Sequence, residues 1–256
     1  GAHDADRAHA LAQTVETYAT YYDIHYPGEE RRAGRGLRLP PVHARLVELG
    51  CAFGEKAGWE RPNWFEPNAR LAPGRWRPQG WAAQHWSPAI EAEHVAAREH
   101  AALFDETSFS KLEVSGHGAL ALLQRVADNQ MDKPPGSVTY TQLLNEQGGI
   151  ECDLTVTRLG PDRFFLVTGS AFGLHDLAWI RSQAPPDGSV VFEDVTERFT
   201  CLGLWGPRAR EILQRSTLDD VSDGAFPYLT ARRLGVGGVR VLALRVTYVG
   251  ELGWEL

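Results

Sequence analysis

The stretch SVTYTQLLNEQGGIECDLTVTR, residues 137–158, has two arms rich in β-branched and aromatic residues flanking Asn145-Glu146-Gln147-Gly148-Gly149. The paired glycines supply the positive φ that a short hairpin connection needs, so residues 137–144 and 150–158 are expected to form a β-hairpin. In the second arm Ile150, Cys152, Leu154 and Val156 share one face. Glu151, Asp153, Thr155 and Thr157 share the other, because side chains alternate along a strand. Aspartate is a poor strand former, which leaves Asp153 two readings: part of the solvated face of an edge hairpin, or a carboxylate aimed into a cleft. The residue alone favours the first.

Around this hairpin lies a chain of 256 residues with 43% hydrophobic and 23% charged residues, long enough for one large or two smaller domains with a substantial core. A formal charge of -7 argues against nucleic acid or an anionic membrane as the main partner. No apolar run approaches the roughly 20 residues that span a bilayer, and the polar start is unlike a signal peptide, so a cytoplasmic protein is expected. Cys51, Cys152 and Cys201 are far apart and odd in number. They suggest three buried thiols, with neither a disulfide framework nor a zinc site.

In chain order, helices are expected over 5–22 and 41–49. Residues 59–86 hold five of the eight tryptophans together with Pro62, Pro67, Pro73 and Pro78. Such a stretch is neither a regular helix nor a central strand, and it reads as an extended linker pinned by its tryptophans. A helix over 89–103 follows, whose His94 and, with it, His100 lack metal-ligand spacing and acidic company. Strand 111–115 and helix 119–127 then form a unit that recurs. Gly116, Ala119, Leu123, Gln124 and Arg125 reappear as Gly206, Ala209, Leu213, Gln214 and Arg215, five identities at an offset of ninety, which signals an internal duplication. Strands at 163–168, 189–192 and 200–205, a helix at 172–182 and two strands within 234–248 complete an α+β order with largely antiparallel sheet.

Residues 248–256, Tyr248-Val249-Gly250-Glu251-Leu252-Gly253-Trp254-Glu255-Leu256, have glycines placed to make a tight loop that brings Tyr248 close to Glu255. Glu251 with Glu255 as a glycosidase pair has no other support, and a polar turn outweighs it.

These residues carry a resemblance. Glu93-His94 with Arg98, Leu103-Phe104-Asp105, Tyr140 to Asn145 with Gly148-Gly149-Ile150 and Asp153, and the loop from Tyr248 to Glu255 resemble the aminomethyltransferase (T-protein) fold of the glycine cleavage system. His25-Tyr26-Pro27 and residues 58–65 resemble the end of the flavin domain in dimethylglycine and sarcosine dehydrogenases, whose carboxyl-terminal half has this folate-binding fold. The resemblance implies three regions: 1–68 as the tail of an FAD-dependent oxidoreductase domain, 69–83 as a Trp/Pro-rich linker, and 84–256 as the aminomethyltransferase-like domain without its terminal barrel.

By the same resemblance the cofactor is tetrahydrofolate, FAD belongs to a region upstream, and the partner is a flavin oxidoreductase domain or subunit. The substrate is an iminium or methylated-amine-derived one-carbon unit, passed on as methylene-tetrahydrofolate. Asp153 is the expected catalytic carboxylate beside the pterin. Tyr140, Tyr228, Tyr248, Glu255 and Phe109 are the expected cofactor-binding residues, with Phe109 and Thr157 at positions where the family often has methionine and an aromatic. A stand-alone aminomethyltransferase or demethylase, and a non-catalytic folate-binding or interaction module, are the alternatives.

Overall fold

The computed structural model describes residues 7–256, and the chain divides into two compact units, residues 1–97 and 98–256. The first begins with helix α1 (Arg7–Ala19), which has no buried residue and leaves Leu11, Val15 and Tyr18 exposed. The expected start of this helix at Ala5 lies outside the described residues, and its end comes earlier than Tyr22. A short α2 (His43–Glu48) leads into β1 (Cys51–Lys56) and β2 (Trp59–Phe65), paired antiparallel.

Strand β2 corrects the expectation of a linker beginning at Trp59. In a two-stranded ribbon both strands are edges, so Pro62 can sit in β2, opposite Phe53 and beside a register shift, without forfeiting a ladder hydrogen bond. Helical turns at Glu66–Leu71 and Gly80–Ala83 follow. Carboxylates on α3 (Pro88–Glu99) hold this segment more than its tryptophans do. Glu91 accepts the N–H groups of Gly74, Arg75 and Trp76, and Glu93 accepts Phe65 N–H and the Asn68 amide. Trp76 and Trp81 remain exposed, while Trp59 is buried beneath the Arg38 guanidinium, 4.4 Å from its ring centre.

In the second unit, β3 (Ala102–Asp105) takes Leu103, which corrects the helix expected to run that far. There follow β4 (Ser110–Ser115), α4 (Ala119–Val126), β5 (Val138–Leu144), β6 (Ile150–Gly160), β7 (Arg163–Thr168), α5 (Gly173–Ser182) and β8 (Val191–Asp194). The second half holds β9 (Leu202–Trp205), α6 (Ala209–Ser216), β10 (Ala231–Val236), β11 (Val239–Leu244) and β12 (Gly253–Glu255). They form two five-stranded antiparallel sheets, ordered β5-β6-β7-β4-β8 and β10-β11-β12-β9-β3. The expected α+β architecture with antiparallel sheet and a duplicated strand-helix unit is what the structure has.

The duplication extends to individual hydrogen bonds. The Gln124 side chain accepts Met131 N–H at 2.8 Å, and Gln214 accepts Val221 N–H at 3.3 Å, again ninety positions on. Each half donates its leading strand to the other: β3 precedes β4 but pairs with β9, and β8 precedes β9 but pairs with β4. The crossing points are matched Asp-x-Thr turns. Asp105 caps Thr107, whose hydroxyl accepts Cys201 N–H at 3.3 Å, and Asp194 caps Thr196, whose hydroxyl accepts Lys111 N–H at 3.0 Å.

Burial follows from alternation along the strands. On β7, Phe164 and Leu166 pack with Leu122 and Leu123 of α4 and Ile180 of α5, while Phe165 and Val167 turn the other way toward Leu242 of β11. On β11, Ala243 joins the core under α6 with Leu213, Phe226 and Trp254, and Leu244 joins Val138 and Val246. The helices therefore cover the outer faces and the sheets meet inside, which explains why the polar face of β6 is buried at Thr155 and Thr157. Replacing Thr196 with Val leaves the buried Lys111 N–H without its acceptor and is expected to cost about 1–3 kcal/mol in denaturant unfolding, with a similar cost at Thr107. Stability unchanged at both positions would contradict the role assigned to this junction.

Candidate functional site

The hairpin of β5 and β6 has the expected arms and turn, with one difference: Gly148 has φ 78, whereas Gly149 is not in the left-handed region. Asn145 closes the turn instead, accepting Gln147 and Gly149 N–H at its side-chain oxygen. Tyr140 lies opposite Thr155 and Gln142 opposite Asp153, so all four share the face toward the second sheet. Asp153 itself is exposed, at the rim, and Thr155 is buried behind it. The Tyr140 phenol is raised above its usual value by its hydrogen bond to Asp153 and then by partial burial, which ties the rim carboxylate to the cavity wall.

That wall belongs to a cavity of about 230 Å³ lined by Val138, Tyr140, Thr155, Tyr228, Leu229, Val246, Thr247 and Tyr248. Three of the expected tyrosines meet there, each with a half-exposed ring. The hydrogen bond from Val138 N–H to Leu229 carbonyl at 2.9 Å fixes the spacing of the two sheets at this point. Thr157, on the same strand face as Thr155, is fully buried with a hydroxyl that has no hydrogen-bond partner among the described residues.

The terminal loop closes as its glycines suggested. The Tyr248 hydroxyl donates to Glu255 Oε1 at 3.0 Å, and Glu255 is 2% exposed. Burial pushes the Glu255 carboxyl above the ordinary range, against the hydrogen bond from Tyr248 and the charge of buried Lys111. Burial, then the charge and hydrogen bond of Glu255, push the Tyr248 phenol up, so it stays protonated as the donor; Thr155 also hydrogen-bonds it, across from the hairpin. Lys111 is held by the carbonyls of Thr107 and Phe109 at 2.9 and 2.8 Å. Glu251, exposed to little solvent, pairs with Arg98 rather than acting with Glu255.

Trp205 was not among the expected residues. Its indole N–H donates to Val246 carbonyl at 3.0 Å, and its ring lies edge-on to Tyr248 with centres 6.5 Å apart. A Cβ at Gly203 or Gly253 would collide with the Trp205 ring, so both glycines are required by this close approach. The signal was present in Gly203 and Gly253 flanking apolar strand positions, but their shared neighbour is visible only in three dimensions. Phe109 is not at the cavity. It packs with Phe165, Val167 and Val195 in the core between the sheets. Of the cysteines expected to be buried, Cys152 and Cys201 are, whereas Cys51 is only half-buried.

The family described as GCVT N-terminal domain matches residues 42–256. The chain belongs to that family. Residues 1–39 match a second family, described as FAD dependent oxidoreductase central domain. Among curated relatives, 4-methylaminobutanoate oxidase (formaldehyde-forming) of Paenarthrobacter nicotinovorans is 38% identical over 99% of this chain and 30% of its own length. Human mitochondrial dimethylglycine dehydrogenase is 35% identical over 96% of this chain and 28% of its own. The chain thus spans under a third of the length of these relatives. The solved glycine cleavage system aminomethyltransferase T of Bartonella henselae matches with a TM-score of 0.66 and 24% identity over 86% of this chain and 53% of that one, a likeness of fold. No helix among the described residues is long and apolar enough to cross a membrane.

Within this GCVT-family chain, the raised carboxyl of Glu255 has a consequence for stability. A carboxyl whose folded pKa exceeds its unfolded one takes up protons on folding. Its contribution is full below about pH 4.3, the unfolded value, and is lost as pH rises through the raised folded value. Glutamine cannot ionise, so Glu255→Gln is expected to gain stability relative to the unsubstituted protein over that rise. Denaturant unfolding at a series of pH values reads this directly, and a stability difference that is flat with pH would contradict it.

Proposed function

We propose that this chain is a tetrahydrofolate-binding one-carbon transfer region of a demethylating flavoenzyme of the dimethylglycine or sarcosine dehydrogenase kind. In this reading it converts an amine-derived one-carbon unit to methylene-tetrahydrofolate. The observation that carries the reading is the cavity where Tyr140, Tyr228 and Tyr248 meet, with the Tyr248 hydroxyl donating to the buried Glu255. A cavity of about 230 Å³ suits a bicyclic head group and leaves the remainder of a folate outside. A flat ring is held by tyrosine faces, each such contact contributing about 0.5–1.5 kcal/mol beyond burial. A buried carboxylate is the acceptor an amide-like ring edge requires, and the unpartnered Thr157 hydroxyl adds a polar atom on the same strand face.

Bound tetrahydrofolate supplies the nitrogen nucleophile. The protein's part is to orient and to manage charge. Tyr248, fixed by Glu255 and backed by Trp205, sets the ring plane, and Tyr140 holds Asp153 at the cavity mouth. There the Asp153 carboxylate is placed to stabilise positive charge on an incoming iminium carbon and to take a proton as the carbon is transferred. In this reading the match of residues 1–39 to an FAD-dependent oxidoreductase domain supports a flavin region as the source of that iminium.

Calorimetry with tetrahydrofolate is expected to show one site per chain. Tyr248→Ala and Tyr228→Ala should each weaken binding several-fold, whereas Asp153→Asn should keep most of the affinity and lose transfer in the whole enzyme. Binding unaffected by both tyrosine substitutions, or full transfer by the Asp153 variant, would overturn the assignment.

A further inference from the structure

The face of β6 turned away from the cavity carries a second group of reactive side chains. Cys152 is buried there, and α5 brings His175 and Asp176 to it, so that one ligand atom from each of the three lies within 4.8 Å of the others. Asp176 is 2% exposed and sits in the first turn of α5. It accepts the Thr168 hydroxyl at 2.7 Å and lies 3.0 Å from His175 Nδ1.

Two features of this cluster call for a cation. A buried carboxylate needs a counter-charge, and the ion-pair partner of Asp176 among the described residues is an imidazole that is charged only when protonated. Beside it the Cys152 thiol is pushed up by burial, then by the charge and hydrogen bond of Asp176, so it keeps its proton while no cation is present. A divalent ion seated among the three would displace that proton and offset both negative groups.

We propose that Cys152, His175 and Asp176 form a binding site for a thiophilic divalent cation of the zinc class. Sulfur, imidazole nitrogen and carboxylate oxygen are the donors zinc takes in tetrahedral sites, and three protein ligands leave one position for water. Thr168 orients Asp176 from behind, as partners of metal-bound carboxylates do. His175 is 56% exposed and gives the ion a path in from solvent. The three ligands stand on β6 and α5, which are held together by the core of Leu154, Leu166 and Ile180, so the cluster rests on rigid elements rather than on a loop. Because Cys152 precedes Asp153 on the strand, occupancy would brace the strand that carries the proposed catalytic carboxylate.

Titration of the purified folded protein with cobalt(II) alone tests the site. The expected result is one equivalent bound, with a thiolate-to-cobalt charge-transfer absorption that zinc bleaches. The absorption should be absent in Cys152→Ser. Zinc affinity should rise with pH as the thiol proton is displaced, and should fall at least tenfold in His175→Ala, whose exposed side chain can be removed without disturbing the core. Absence of the charge-transfer absorption, its persistence in the Cys152 variant, or equal zinc affinity of the His175 variant and the unsubstituted protein would overturn the proposal. None of these outcomes depends on folate binding.

Discussion

The exchange of β3 and β8 between the two halves is the constraint on which the second unit depends. Neither half completes its own five-stranded sheet. Each takes its last strand from the chain segment that leads into the other, and the crossings are fixed by Thr107 against Cys201 and Thr196 against Lys111. Pairing by exchanged strands forces the two sheets face to face, which buries Thr155 and Thr157 and turns an otherwise solvated hairpin face into a cavity wall. The site is therefore a product of the duplication: one half contributes the hairpin with Tyr140 and Asp153, the other contributes Tyr228 and the loop from Tyr248 to Glu255.

The cavity concentrates its polar chemistry at two levels. At one level the Tyr248 hydroxyl meets the buried Glu255, with Lys111 as the nearby cation that opposes the desolvation of Glu255. At the other, Tyr140 stands beside the exposed Asp153. A ligand that is flat and amide-edged at one end and reactive at the other would match this arrangement, with its edge toward the buried carboxylate and its reacting end toward the exposed one. Trp205 links the levels to the sheet, because its ring occupies the space a side chain at Gly203 or Gly253 would need.

Much of this was legible in the sequence, and the particular residues show why. The hairpin followed from period-two alternation and a glycine turn, and the duplication from identities at a fixed offset. The approach of Tyr248 to Glu255 followed from the glycines around Glu251. These are local signals, or repeat signals that need no knowledge of packing. What was missed depends on contacts between distant segments. Phe109 was expected at the site from the family resemblance, yet it packs into the inter-sheet core. Trp205 and the grouping of Cys152 with His175 come from different elements, with no spacing that announces them. Residues 59–86 read as a linker because their prolines exclude a regular helix and a central strand, yet Trp59 to Phe65 form β2. The prohibition applies to central strands, and a two-stranded ribbon has none.

The central claim is that the three-tyrosine cavity beside the Tyr248–Glu255 pair receives the pterin ring. A crystal structure of the protein grown with tetrahydrofolate tests it most directly. The account predicts ring density between Tyr140, Tyr228 and Tyr248, with the amide edge toward Glu255 and the reactive nitrogens toward Asp153. A ring bound elsewhere, or a cavity without ring density in crystals saturated with the ligand, would contradict it.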